Sequence, residues 1–97
     1  MRIIARRTLR EFSDRHPRAM PGLEAWYHEV KMAEWRSPAD VRRLYSKARI
    51  VGKDRVVFNI AGNRYRLVAK VNYGAGIVFI RFVGTHKEYD HINVEEV

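Results

Sequence analysis

The sequence contains no cysteine, few glycines and prolines, and no long apolar segment. Without cysteine, neither a disulfide framework nor a cysteine-based zinc site is possible. A protein that relies on neither fits a reducing cytoplasm, which is where we expect it to act. Residues 1–4 are too short for a signal peptide, and no run is long enough to span a bilayer. We therefore expect a soluble, unprocessed chain without a membrane partner.

Acidic residues are scarce relative to basic ones, with 11 Asp and Glu against 19 Lys and Arg, a formal net charge of +8. This imbalance favours an anionic partner, which can be nucleic acid, an acidic protein or a membrane surface. A hydrophobic content of 46% and an aromatic content of 11% argue against disorder. The length of 97 residues predicts a single domain that spans residues 1–97.

Apolar residues at three- and four-residue spacing predict three helices in the first half of the chain. The third has a specific start signal, with Ser37 as N-cap and Pro38 at the first helical position. Its apolar residues Val41, Leu44 and Tyr45 are expected to face inward. The expected bounds are residues 5–15, residues 21–35 and a short helix from residue 38.

The remaining segments alternate between apolar and polar residues, which is typical of β-strands. The expected strands are residues 1–4, 49–51, 55–60, 64–72 and 77–83. In the last strand, Val78, Ile80 and Phe82 are predicted on one face and Arg81 on the other, and Gly84 is expected to end the strand. The order of elements predicts an α+β fold of two layers, in which the amino-terminal helices pack on an antiparallel sheet.

Cations recur on the predicted outward face of this sheet, with few acids between Arg55 and Arg81. The polar residues of that face are Arg55, Asn59, Arg64, Arg66, Lys70 and Arg81. A face with unpaired cations repels itself unless it binds an anion, so we interpret it as a phosphate-binding surface. The competing interpretation is a solvated face on which arginines serve solubility and protect the sheet edge.

A polar run, Thr85-His86-Lys87-Glu88-Tyr89-Asp90-His91, follows the last strand directly. Histidine exchanges protons near neutral pH, and tyrosine can stack on a base or donate a proton. No third ligand accompanies the two histidines, so we expect no metal site, and no serine lies in a nucleophile-type turn. The run can also be an ordinary polar turn without a chemical role.

Cleavage of RNA by its own 2′-hydroxyl matches these residue types. The reaction needs a base for that hydroxyl, an acid for the leaving 5′-oxygen and cations for the crowded phosphate. His86, Tyr89 and the arginines of the outward face can supply all three.

Two stretches of the sequence resemble the HigB toxins of type II toxin–antitoxin systems, which are small RelE-like endoribonucleases. The first is Val57-Phe58-Asn59-Ile60-Ala61-Gly62-Asn63-Arg64-Tyr65-Arg66-Leu67-Val68, and the second is Ile80-Arg81-Phe82-Val83-Gly84-Thr85-His86-Lys87-Glu88-Tyr89-Asp90. The helices that precede them also fit in number and length, so the resemblance covers nearly the whole chain.

The resemblance implies a RelE-like fold, cleavage of mRNA on the ribosome, and neutralisation by a HigA-type helix-turn-helix antitoxin. From the residue types we expect no cofactor. By motif, the catalytic positions of relatives fall on Arg66 and His86, with Tyr89 as the counterpart of a terminal aromatic residue. Val57 and Asn59 stand where lysines can stand in relatives, so we choose His86 as the general base. The expected RNA-binding residues are Asn59, Arg55, Arg64, Lys70, Arg81 and Lys87.

Two other functions stay open from the sequence. A non-catalytic RNA-binding module needs the basic face but no proton-transfer residues. A gyrase poison of the same superfamily is a further alternative, since one fold can carry several functions.

Overall fold

The structure, a computed structural model, describes residues 1–97. Its helices are α1 (Arg6–Arg15), α2 (Met20–Met32), α3 (Pro38–Leu44) and α4 (His86–Tyr89), with a short 3-10 helix at Pro17–Ala19. Its strands are β1 (Arg2–Ile4), β2 (Arg49–Val51), β3 (Arg55–Ile60), β4 (Tyr65–Asn72) and β5 (Ile77–Thr85). None of the helices combines the length and the apolar character that crossing a bilayer requires.

One five-stranded sheet runs in the order β1-β5-β4-β3-β2. Strands β2 to β5 are antiparallel neighbours, as predicted, whereas β1 pairs with β5 in parallel and makes the sheet mixed. The parallel pair arises because α1 and the following elements separate β1 from the rest of the sheet along the chain. The predicted α+β class is confirmed.

The helices cover one face of the sheet, and a cluster of 17 buried residues fills the space between the two layers. Phe58 of β3 lies at its centre, with the Trp26 ring edge-on at 5.4 Å and the Trp35 ring stacked at 6.0 Å between centroids. Buried aromatic rings remove a large apolar area from water, so these three residues contribute much of the packing free energy. Trp35 is buried although α2 ends earlier than predicted, at Met32.

Helix α3 begins at Pro38, as the sequence predicts, but is capped differently from the expected pattern. Ser37 makes no side-chain cap; instead the Asp40 carboxylate accepts a hydrogen bond from the Arg36 backbone N–H at 2.9 Å. The prediction that Leu44 faces inward was wrong, because the seven-residue helix buries only Val41 and leaves Leu44 47% exposed.

A β-bulge at Arg81 reverses the expected orientation of the end of β5. Val68 pairs with Phe82, whereas the next residue of β4, Ala69, pairs with Ile80, so Arg81 has no partner across the ladder. The extra residue places Phe82 on the face opposite the core. The prediction that Phe82 shares a face with Ile80 was therefore wrong.

Strand β5 also continues past the glycine that was expected to end it. Gly84 pairs with Arg66 of β4, and Thr85 is the last strand residue. The Phe82 ring lies over Gly84 so closely that a side-chain carbon there would collide with it. Only glycine leaves room for the Phe82 ring at position 84. Strand β5 therefore passes through Gly84 and ends at Thr85, where α4 begins.

The sheet face that points away from the helices, here called the outer face, is not simply solvated. Val57 and Val68 lie on it and are 4% and 0% exposed, although neither belongs to the main core cluster. The carboxy-terminal segment approaches this face, since the Arg55 guanidinium donates a hydrogen bond to the Val97 carbonyl at 3.0 Å. Part of the outer face is therefore a second, smaller packing surface.

Candidate functional site

Helix α4 begins directly at the end of β5 and is held there by a capping box. The Thr85 hydroxyl accepts from the Glu88 backbone N–H at 3.1 Å, and the Glu88 carboxylate accepts from the Thr85 backbone N–H at 2.8 Å. The backbone N–H of His86 donates to the Arg64 carbonyl at 3.2 Å, which ties the first turn to the start of β4. These bonds place His86 and Tyr89, three residues apart, on one short helical turn.

Tyr89 contacts two arginines that come from different strands. Arg49 of β2 donates from Nη1 to the Tyr89 hydroxyl oxygen at 3.1 Å. The Arg66 guanidinium carbon lies 5.8 Å from the centroid of the Tyr89 ring, within the range of a cation–π contact. The three side chains therefore form one cluster, here called the Arg–Tyr cluster, at the end of the sheet where β5 meets α4.

Two backbone carbonyls also hold the Arg66 guanidinium in place. Its Nη1 donates to the Asn63 carbonyl at 2.9 Å and to the Tyr65 carbonyl at 3.3 Å, and Asn59 lies opposite it across the ladder. No carboxylate pairs with Arg66 in the structure. The two carbonyls thus fix the position of the Arg66 guanidinium, and no carboxylate neutralises its charge. This combination suits anion binding.

His86 lies beside an acid of its own helix. Its Nδ1 is 3.5 Å from Oδ2 of Asp90, and the two side chains are 56% and 59% exposed. A carboxylate on the Nδ1 side of a histidine favours the tautomer and ring orientation that leave Nε2 open to a substrate. This arrangement is compatible with proton transfer at Nε2.

The remaining predicted cations do not all join this site. Arg55 and Lys70 lie opposite each other and share one acid, with Asp54 at 3.1 Å from Arg55 and 3.9 Å from Lys70. The Arg55 side chain is only 12% exposed. The expectation of a face without acidic partners was therefore wrong for this end of the sheet. Lys70 is also four strand residues from Arg66, a separation of roughly 13 Å.

The other expected RNA-binding residues belong to β3, β5, α4 and the turn before β4. Arg64 ends the turn before β4 and accepts the His86 backbone hydrogen bond at its carbonyl. Asn59 is exposed next to Arg66, Lys87 is exposed on α4, and Arg81 is exposed at the bulge of β5. The structure thus divides the predicted cations into those without an acidic partner, which include Arg66, and the two that share Asp54.

Two members of the site were not assigned from the sequence. Arg49 was recognised only as part of a strand, and Asp90 only as part of the polar run. The signal for Arg49 is its register, because residue 49 pairs with residue 57 and directly opposed residues share a face. No group of three or more His, Asp or Glu side chains comes together in a metal-binding arrangement.

The capping box also changes the ionisation of Glu88. The hydrogen bond from the Thr85 backbone lowers the pKa of Glu88, and the Thr85 hydroxyl bond, His16 and Arg15 act in the same direction, against a smaller effect of burial. A carboxyl whose pKa is lowered by folding stabilises the folded state when ionised. The α4 cap is therefore strongest at neutral pH.

Comparison with known proteins identifies relatives over almost the whole chain. A family model described as "HigB_toxin, RelE-like toxic component of a toxin-antitoxin system" matches residues 19–92. The mRNA interferase toxin HigB of Escherichia coli K12 is 28% identical over 93 residues, which cover 93% of this chain and 88% of that protein. The mRNA interferase HigB of Shigella flexneri has the same identity and coverage. The mRNA interferase HigB of Escherichia coli O6:H1 is 22% identical over 94 residues, covering 95% of this chain and 91% of that protein.

Replacing Thr85 by Val should weaken the attachment of α4 at neutral pH. The change removes the hydroxyl cap at nearly constant shape, and loss of such a cap costs about 1 kcal/mol. Because folding lowers the pKa of Glu88 below its ordinary 4.5, the stabilisation is present above that pH and is lost as the pH falls through the folded value. Urea unfolding should show a deficit for Thr85→Val that changes little with pH, because the backbone N–H of residue 85 remains to hold the Glu88 carboxylate, while the stability of both proteins falls as the pH drops through the folded pKa of Glu88. Thr8→Val in α1, which is not an N-cap, is the control; an equal loss at both positions would contradict the assignment.

Proposed function

Because this chain belongs to the HigB family of RelE-like toxins of toxin–antitoxin systems, we propose that it cleaves mRNA on the translating ribosome by metal-independent attack of the 2′-hydroxyl. The names of its relatives as mRNA interferases support the substrate and the reaction class. Because mRNA is translated in the cytoplasm, we propose that the protein acts there. The toxin has an antitoxin partner, which we propose to be a HigA-type helix-turn-helix protein.

The observation that carries the proposal is the Arg–Tyr cluster beside His86. Arg66 has no carboxylate partner and lies over the Tyr89 ring. It pairs across the ladder with Gly84, and Gly84 precedes His86 by two residues. The cluster thus brings a fixed cation, a hydroxyl donor and an imidazole to one exposed end of the sheet. These are the three kinds of group that cleavage by a neighbouring 2′-hydroxyl requires.

The proposed reaction assigns one proton transfer to each of two residues. His86 takes the proton of the 2′-hydroxyl at Nε2 while that oxygen forms a bond to phosphorus. The bond from phosphorus to the 5′-oxygen breaks, and Tyr89 gives its hydroxyl proton to the leaving oxygen. Arg66 stabilises the additional negative charge on the phosphoryl oxygens in the transition state. The products are a 2′,3′-cyclic phosphate and a 5′-hydroxyl.

Arg66→Ala should abolish growth arrest on induction and lower the cleavage of mRNA in a translation reaction by about 10²–10³-fold. The change removes the fixed cation, and because Arg66 lies on the outer face it opens no cavity in the core cluster. Arg42→Ala on α3 is the matched control, since Arg42 is an exposed arginine that makes no hydrogen bond or ion pair with the Arg–Tyr cluster. A folded Arg66→Ala protein that still arrests growth, or equal losses in both variants, would contradict the role of Arg66.

His86→Gln tests proton transfer separately from binding. Glutamine keeps hydrogen-bonding capacity and approximate size but exchanges no proton near neutral pH. Cleavage should fall by roughly 10²–10⁴-fold while binding to ribosomes programmed with a non-cleavable 2′-deoxy mRNA stays within about twofold. His28→Gln on α2 serves as the control. If binding falls in step with cleavage, His86 is a contact residue; if neither changes, its assignment is wrong.

A further inference from the structure

We propose that Arg49 is a positioning residue of this nuclease site, which orients the Tyr89 hydroxyl for proton donation to the leaving oxygen. The proposal rests on the proposed function and adds a residue from β2, one of the two edge strands of the sheet. Arg49 lies 40 residues from Tyr89 along the chain, and the bond between their side chains joins β2 to α4.

The register of β2 directs Arg49 toward the site. Arg49 pairs with Val57, and Val57 pairs with Val68, so all three side chains share the outer face. Val57 and Val68 are apolar and buried, which leaves Arg49 as the polar group of this row. From there its guanidinium reaches α4 and contacts Tyr89 at 3.1 Å.

The direction of this hydrogen bond determines what Tyr89 can do. A guanidinium has five N–H donors and no acceptor, so the Tyr89 oxygen must be the acceptor. The single hydroxyl proton of Tyr89 is therefore free to be donated elsewhere. Arg66 lies over the face of the same ring, so the two arginines restrain both the position of the oxygen and the plane of the ring.

The same arrangement fits the charge change in the reaction. Once Tyr89 has given its proton to the leaving 5′-oxygen, its own oxygen carries negative charge. A guanidinium already in contact forms a charge-assisted hydrogen bond with that oxygen, which is stronger than the bond to a neutral phenol. Arg49 thus assists through Tyr89 and needs no contact of its own with the RNA.

A purely structural role makes a different prediction. The Arg49–Tyr89 contact is exposed, and exposed polar contacts of this kind contribute little to the stability of a fold. Loss of Arg49 should therefore leave thermal unfolding nearly unchanged while cleavage falls. A residue that only latched α4 to the sheet would lower both.

The test is a double-mutant cycle with Arg49→Gln, Tyr89→Phe and the combined variant, assayed by single-turnover cleavage of ribosome-bound mRNA. We expect each single variant to lower the cleavage rate by ~10–100-fold with binding within about twofold. In the Tyr89→Phe background, Arg49→Gln should cost less than about threefold more, because the group on which it acts is already absent. Arg49→Lys should recover part of the rate, since it restores a cationic donor, and Arg42→Gln is the control.

Independent losses that multiply in the combined variant would overturn the proposal and assign Arg49 to the phosphate instead. A parallel fall in binding, a loss of thermal stability, or an unchanged rate in Arg49→Gln would each overturn it as well. A folded wild-type protein that leaves ribosome-bound mRNA intact would overturn the proposed function together with this inference. An active wild type with no coupling between Arg49 and Tyr89 would overturn this inference alone.

Discussion

The attachment of a four-residue helix to the end of a strand is the constraint on which the candidate site depends. Helix α4 is too short to be stable alone, because a helix of one turn has little hydrogen bonding to offset its nucleation cost. The Thr85–Glu88 capping box and the bond from His86 to the Arg64 carbonyl hold it in place, and Tyr89 of this helix then contacts Arg49 of β2. The site therefore exists only where β4, β5, β2 and α4 come together.

The residues that stabilise the fold and the residues of the candidate site lie on different faces of the sheet. The helices bury one face of the sheet around Phe58, and the site residues lie on or beyond the other face. The bulge at Arg81 contributes to this division, because it turns Phe82 to the outer face, where its ring lies over Gly84. Substitutions at the site should consequently change activity more than stability, since none of the proposed catalytic side chains belongs to the core cluster.

Much of this arrangement is predictable from the sequence, because its signals are local. Alternation in residues 55–60 and 64–72 predicts the strands and places Arg66 outward, and the turn at residues 61–63 predicts the hairpin. The polar run after the last strand predicts a site with proton-exchanging groups, and that assignment stays a prediction. The resemblance to HigB toxins is confirmed by the family match over residues 19–92.

The parts that were missed depend on pairing between distant segments. The bulge at Arg81 cannot be recognised from the alternation of residues in β5. Only the register with β4 reveals the extra residue. The ion pairs of Arg55 and Lys70 with Asp54 were missed because Asp54 lies just before the stretch in which acids were counted. Arg49 was overlooked because its contact with Tyr89 spans 40 residues and requires the position of α4.

The dependence of cleavage on a single 2′-hydroxyl tests the central claim most directly. An mRNA with one 2′-deoxynucleotide immediately 5′ of the scissile phosphate, and an unmodified copy, would be incubated with translating ribosomes and the toxin, and the ends at the cut mapped. The account predicts that only the unmodified mRNA is cut at that bond and that the cut leaves a 2′,3′-cyclic phosphate and a 5′-hydroxyl. Cleavage of both at the same rate, with 3′-hydroxyl and 5′-phosphate ends, would contradict it.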